Sequence, residues 1–79
     1  MRSNELLEWL EARPFAPFRL FLSDGRTFEI RGANQVWPGR QTALIGFPSA
    51  EDPRLIDRHT TVSLLHVVSI EPIKRPVRA

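Results

Sequence analysis

The chain has 79 residues, no cysteine, and a formal net charge of +2 from eleven basic and nine acidic side chains. That length admits one domain that buries roughly 60% of its unfolded surface, with neither disulfides nor a thiolate metal site to staple it. The longest apolar runs are only a few residues, as in Ala43-Leu44-Ile45, and no signal-type apolar stretch follows Arg2, so no membrane span is expected and the cytoplasm is the expected compartment.

Residues Asn4 to Arg13 read as a helix. Ser3 or Asn4 can cap its free amides, and Glu5 and Glu8 suit the positive end of the dipole. Leu6, Trp9, Leu10 and Arg13 form a stripe that Leu7 widens, and Pro14 stops the pattern. So short a helix is marginal alone and must dock through its Leu/Trp face. Pro14-Phe15-Ala16-Pro17 reads as a stiff connector, although Pro14 and Pro17 also satisfy a PxxP pattern.

Phe18 to Ser23 and Arg26 to Arg31 form a β-hairpin around Asp24-Gly25. Two registers compete. A two-residue turn pairs Leu22 with Thr27 and Leu20 with Glu29, which mixes leucines and charge on one face. A three-residue loop, Ser23-Asp24-Gly25, pairs Leu22 with Arg26, Leu20 with Phe28 and Phe18 with Ile30. Only the second gathers Phe18, Leu20, Leu22, Phe28 and Ile30 on one side and sets Gly25 at the left-handed position of a bulged turn. Phe21 is then left on the opposite face, as a candidate contact for the helix or for another subunit.

Gly32 to Asn34 breaks the run, and Gln35-Val36-Trp37 is a short strand turned at Pro38-Gly39 into Gln41 to Phe47. Pro48 to Arg54 has loop composition. Leu55 to Ser63 reads as strand, Leu64-Leu65-His66 as a tight bend, and Val67 to Ile70 as the closing strand before Pro72. Residues 1–73 thus make one domain, followed by a basic tail from Lys74 to Ala79. Glycines 25, 32, 39 and 46 fall seven apart, but their flanks do not match and no internal repeat is read.

Arg13-Pro14-Phe15-Ala16-Pro17-Phe18-Arg19-Leu20, Leu22-Ser23-Asp24-Gly25-Arg26-Thr27-Phe28-Glu29, Val62-Ser63-Leu64-Leu65-His66-Val67 and Ile70-Glu71-Pro72 resemble a group of short uncharacterised bacterial proteins, a likeness that implies no activity. The order of elements is similar to that of the Sm-like small barrels, which form rings and bind RNA. Pattern and resemblance together predict a mainly β fold. A short N-terminal helix is followed by a five-stranded, strongly bent antiparallel sheet or by a small Sm-like or SH3-like barrel. The RNA site of that family is not carried over, because Leu64-Leu65 precedes His66 where the bacterial RNA chaperones have a Lys-His pair.

No catalytic residue is expected, since no nucleophile-elbow glycines surround any serine and His59, His66 and Asp57 form no triad pattern. His59 and His66 are an odd number of residues apart and no carboxylate pair completes a shell, so no metal or cofactor is expected. One histidine is expected to be exposed and the other to bond backbone near the bend. The scattered glycines build no phosphate cradle.

Three functions from different classes remain. The first is a non-catalytic module that forms a homo-oligomer and binds a protein partner through strand edges, with Phe21 and Trp37 as partner contacts. The two tryptophans and five phenylalanines, many for so small a surface, favour it. Trp37 has the alternative roles of stacking a base or closing one end of a barrel. The second is weak nucleic-acid binding through Arg19, Arg26 and Arg31 on the sheet and Lys74, Arg75 and Arg78 in the tail. Ten of the eleven basic residues are arginine, the better phosphate fork, although a GC-rich genome gives the same bias. The third is a small subunit without affinity of its own. Missing nucleic-acid signature residues favour the first.

Overall fold

The computed structural model describes residues 1–73. Helix α1 (Ser3–Glu11) is opened by the Arg2 backbone, whose N–H donates to Glu5 Oε1 at 3.2 Å and whose carbonyl accepts from the Glu5 N–H at 3.1 Å. The cap is therefore backbone and Glu5, not the Ser3 or Asn4 hydroxyl or amide. The helix stops at Glu11 because Ala12 already has an extended ψ of 139° ahead of Pro14, so Arg13 lies outside it. Leu6 and Leu10 are buried, and Trp9 meets the edge of Phe18 with ring centroids 5.4 Å apart. The Leu/Trp stripe is the docking face, and Leu7 marks its exposed rim.

Strands β1 (Phe18–Leu22) and β2 (Thr27–Ile30) form the hairpin in the three-residue-loop register. Phe18 faces Ile30 and Leu20 faces Phe28, while the Leu22 N–H donates to the Arg26 carbonyl at 2.9 Å. Gly25 takes φ 91° and returns its N–H to the Leu22 carbonyl at 3.0 Å. The alternation along β1 buries Phe18, Leu20 and Leu22 and leaves Arg19 and Phe21 on the outer face.

The chain continues through β3 (Val36–Pro38), β4 (Thr42–Pro48), β5 (Ile56–Ser63) and β6 (Val67–Pro72). These strands overturn the expected single five-stranded sheet or closed barrel. Among the described residues there are six strands in two separate antiparallel sheets, ordered β2-β1-β6 and β3-β4-β5. The division has a local cause at each crossing. Between β2 and β3 a one-turn 3-10 helix, Ala33–Gln35, redirects the chain. Buried Gln35 holds that turn: its Oε1 accepts from the N–H groups of Arg31 and Gly32 at 2.7 and 3.1 Å, and its Nε2 donates to the Gly46 carbonyl at 3.2 Å. Between β5 and β6 a second such turn, Leu64–His66, is capped by Ser63, whose Oγ accepts from the Leu65 N–H at 3.3 Å. Side chains satisfy backbone groups that a continuing ladder would otherwise use.

One core lies between the two inner faces. Phe18, Leu20, Leu22, Ile30 and Val67 come from the first sheet and Val36, Ala43, Ile45 and Val62 from the second, joined by Leu6, Leu10 and Leu64. Full burial of each large side chain is worth about 1.5–3 kcal/mol, which is how a domain without disulfides is held.

Candidate functional site

Two sheets that do not close leave four strand edges, and unpaired backbone N–H and C=O groups along an edge are a template for another chain. Three of the four are guarded. Strand β3 has only three residues, ends in Pro38, and packs against α1. Strand β2 has four residues, with the charged Glu29 and Arg31 ion pair beside it. Strand β6 carries a bulge that leaves Val68 outside the register, ends in Pro72, and is flanked across a groove by Glu5 and Trp9 of α1.

Strand β5 differs. It is the longest, at eight residues, and has no proline. Its one irregularity is at Asp57, where the register with β4 shifts. From Arg58 to Ser63 the pairing with β4 is regular, and among the described residues no strand lies against its other edge. The direction of its backbone groups follows from one bond. The Leu64 N–H donates to the Gln41 carbonyl at 2.8 Å, continuing the β4–β5 register, and antiparallel bonding alternates along a strand. Val62 and Thr60 therefore bond β4, whereas the N–H and C=O of His59, Thr61 and Ser63 point to the open edge.

Exposed leucines lie just before and just after this strand in the chain. Leu55 precedes β5 with 61% of its surface exposed, and Leu65 follows it with 83% exposed. On the outer face of the same sheet, Trp37 stands opposite Leu44, which stands opposite Thr61, so a row crosses all three strands. Trp37 is 51% exposed and does not close a barrel end. Phe21 lies half-buried on the outer face of the other sheet, between Thr27 and Ser69. The two aromatic candidates thus sit on different sheets.

Carboxylates engage all three sheet arginines named as nucleic-acid contacts. Arg19 pairs with Glu29, Arg26 with Asp24 at 2.8 Å, and Arg31 with Glu29 at 3.0 Å. Arg19 and then Arg31 hold the Glu29 carboxyl below its ordinary value, and the Arg26 backbone N–H and side chain do the same to Asp24. A phosphate approaching any of these arginines meets a neighbouring carboxylate of like charge. Lys74, Arg75 and Arg78 lie outside the described residues.

His59 is exposed on the outer face of β5. His66 does not bond backbone through its ring: its Nδ1 lies 3.1 Å from Ser23 Oγ, while its carbonyl accepts from the Ser23 N–H at 2.8 Å. Asp24 beside them is held by Arg26 and does not orient the imidazole. Among the described residues, no three histidine, acidic or cysteine side chains are placed to hold a metal ion, and no helix is long and apolar enough to cross a membrane.

Residue-by-residue reading passed over Thr60, Thr61, Leu55 and Leu65. A signal was present, namely a long strand pattern free of proline and lysine with a leucine at each end. Its meaning depends on which strands are edges. Comparison with family models, with curated proteins and with solved structures finds no match.

Proposed function

We propose that this chain is a non-catalytic protein-interaction domain that self-associates, with the open edge of β5 as its contact. The unequal treatment of the four edges carries this reading. Shortness, proline, a bulge or the helix blunts three of them, whereas the longest, beyond its irregularity at Asp57, keeps the regular stretch from Arg58 to Ser63 unpaired on one side among the described residues. The exposed Trp37 on the same sheet gives the assembly an aromatic contact for a protein partner. Nucleic-acid binding through the sheet has less support, because carboxylates occupy Arg19, Arg26 and Arg31.

Light scattering on a size-exclusion column tests the reading with Thr61→Pro. Proline at this position removes an N–H that faces the open edge and leaves the ladder to β4 in place, a placement that edge strands tolerate. The wild type is expected above monomer mass at micromolar concentration, and the variant at monomer mass with an unchanged circular dichroism spectrum. A monomeric wild type would sink the proposal.

A further inference from the structure

We infer that the cavity where the start of α1 meets the β3–β4 and β5–β6 connections is a binding site for a small amphiphilic carboxylate, one anionic head on an unbranched apolar body. The inference stands apart from the self-association proposed above, and no residue of β5 lines the cavity.

The cavity has a volume of about 440 Å³, within the range of small-ligand sites. Hydrogen bonds tie its frame. The Met1 nitrogen donates to the Leu64 carbonyl at 2.9 Å, the Leu64 N–H donates to the Gln41 carbonyl at 2.8 Å, and the Leu65 N–H donates to Ser63 Oγ at 3.3 Å. The start of the helix, the β3–β4 turn and the Leu64–His66 turn are thus held together without a ligand.

Charge selects the head. Arg2 and Arg40 both line the cavity, and no acidic side chain among the described residues does. Every other described arginine is already engaged within the chain. Arg19, Arg26, Arg31 and Arg54 pair with carboxylates, Arg13 donates to the carbonyls of Glu11 and Ala12, and Arg58 lies 4.7 Å from the centre of the Phe47 ring. The guanidinium groups of Arg2 and Arg40 have no such partner among the described residues, and they share one cavity. Glu5, close by in sequence, accepts from the Arg2 backbone N–H at 3.2 Å and lines a different groove beside Trp9. Arginines in this setting suit a carboxylate, which the planar fork bonds through two parallel N–H donors.

The walls select the body. Leu65, 83% exposed, lines the cavity together with Met1 and Leu64. An inorganic anion would answer the arginines and leave that leucine in water, whereas an apolar chain behind the head covers it. An extended peptide finds less here. The N–H groups of Leu64 and Leu65 and the Leu64 carbonyl are already bonded, so this wall offers no ladder for a strand.

Titration of the whole chain, followed residue by residue through its amide NMR signals, tests the site with octanoate as the probe. Acetate lacks the apolar body, octanol lacks the charge, and inorganic phosphate lacks the chain. Octanoate is expected to shift the amides of Asn4, Gln41 and Leu65 and to bind about tenfold tighter than any of the three. Arg2→Gln, Arg40→Gln and Leu65→Ser, all at exposed positions, are each expected to weaken octanoate about tenfold with an unchanged circular dichroism spectrum. Octanol that matches octanoate, or two glutamine variants that bind it as the wild type does, would overturn the anionic head. Acetate or phosphate that matches octanoate, or an unaffected Leu65→Ser, would overturn the apolar body. A peptide ending in a leucine carboxylate that binds tighter than octanoate would overturn the small-molecule assignment. Shifts that are absent, or confined to other parts of the domain, would overturn the site itself. Oligomeric state is read separately by light scattering, so failure here leaves the β5 contact standing.

Discussion

Gly25 has the one positive φ among the described residues, and nothing lies within 4 Å of the position a Cβ would take there. The strain of a substitution at this site is therefore backbone strain, not a clash. Gly25→Ala should destabilise the domain by about 1 kcal/mol, because an L side chain is disfavoured in the left-handed region. The denaturant midpoint reads this directly, and an unchanged midpoint contradicts the bulged turn. The same turn fixes Arg26 beside Asp24, so the residue that shapes the hairpin also places an ion pair on its tip. Exposed pairs of this kind add little stability. Their consequence here is to offset the positive charge of these arginines on the sheet surface.

At the scale of elements, the hairpin was legible in the sequence and the partition into two sheets was not. The pattern from Phe18 to Ile30 and an Asp-Gly turn admit only one register that gathers Phe18, Leu20, Leu22, Phe28 and Ile30 on one side. Alternation assigns faces, however, and does not say which strands share hydrogen bonds. That depends on Gln35, whose amide reaches Gly46 eleven residues away and holds the turn between β2 and β3. A lone glutamine in a polar segment gives no local sign of such a role. Trp37 was equally unreadable: a three-residue strand is too short for a period, and its face follows from the pairing with Leu44. Arg13 continues the helical spacing, yet the helix ends at Glu11, because Pro14 disfavours helical backbone at the residue before it. Gln35→Ala tests the turn. It leaves the Arg31 and Gly32 N–H groups and the Gly46 carbonyl without their partner, which should lower the unfolding free energy by roughly 1–3 kcal/mol. A chemical denaturation curve that matches the wild type would show that the sheets separate for another reason.

For the whole molecule, size is the constraint. A domain of this length has little surface-to-volume advantage, and binding that requires the folded state adds to its stability by mass action. If β5 pairs with its copy as proposed, the β3-β4-β5 sheet continues into the second copy and the Trp37, Leu44, Thr61 row lies on one extended outer face. Such pairing would also cover a long strand edge, the kind of edge through which small β domains aggregate. The central claim, that the outward backbone groups of β5 are bonded in the assembled state, is tested most directly by amide hydrogen exchange. Exchange at His59 and Thr61 should be measured at protein concentrations above and below the association midpoint. The account predicts that both amides become protected as concentration rises, while those of Thr60 and Val62, bonded to β4, stay protected throughout. Rapid exchange of His59 and Thr61 at every concentration would contradict it.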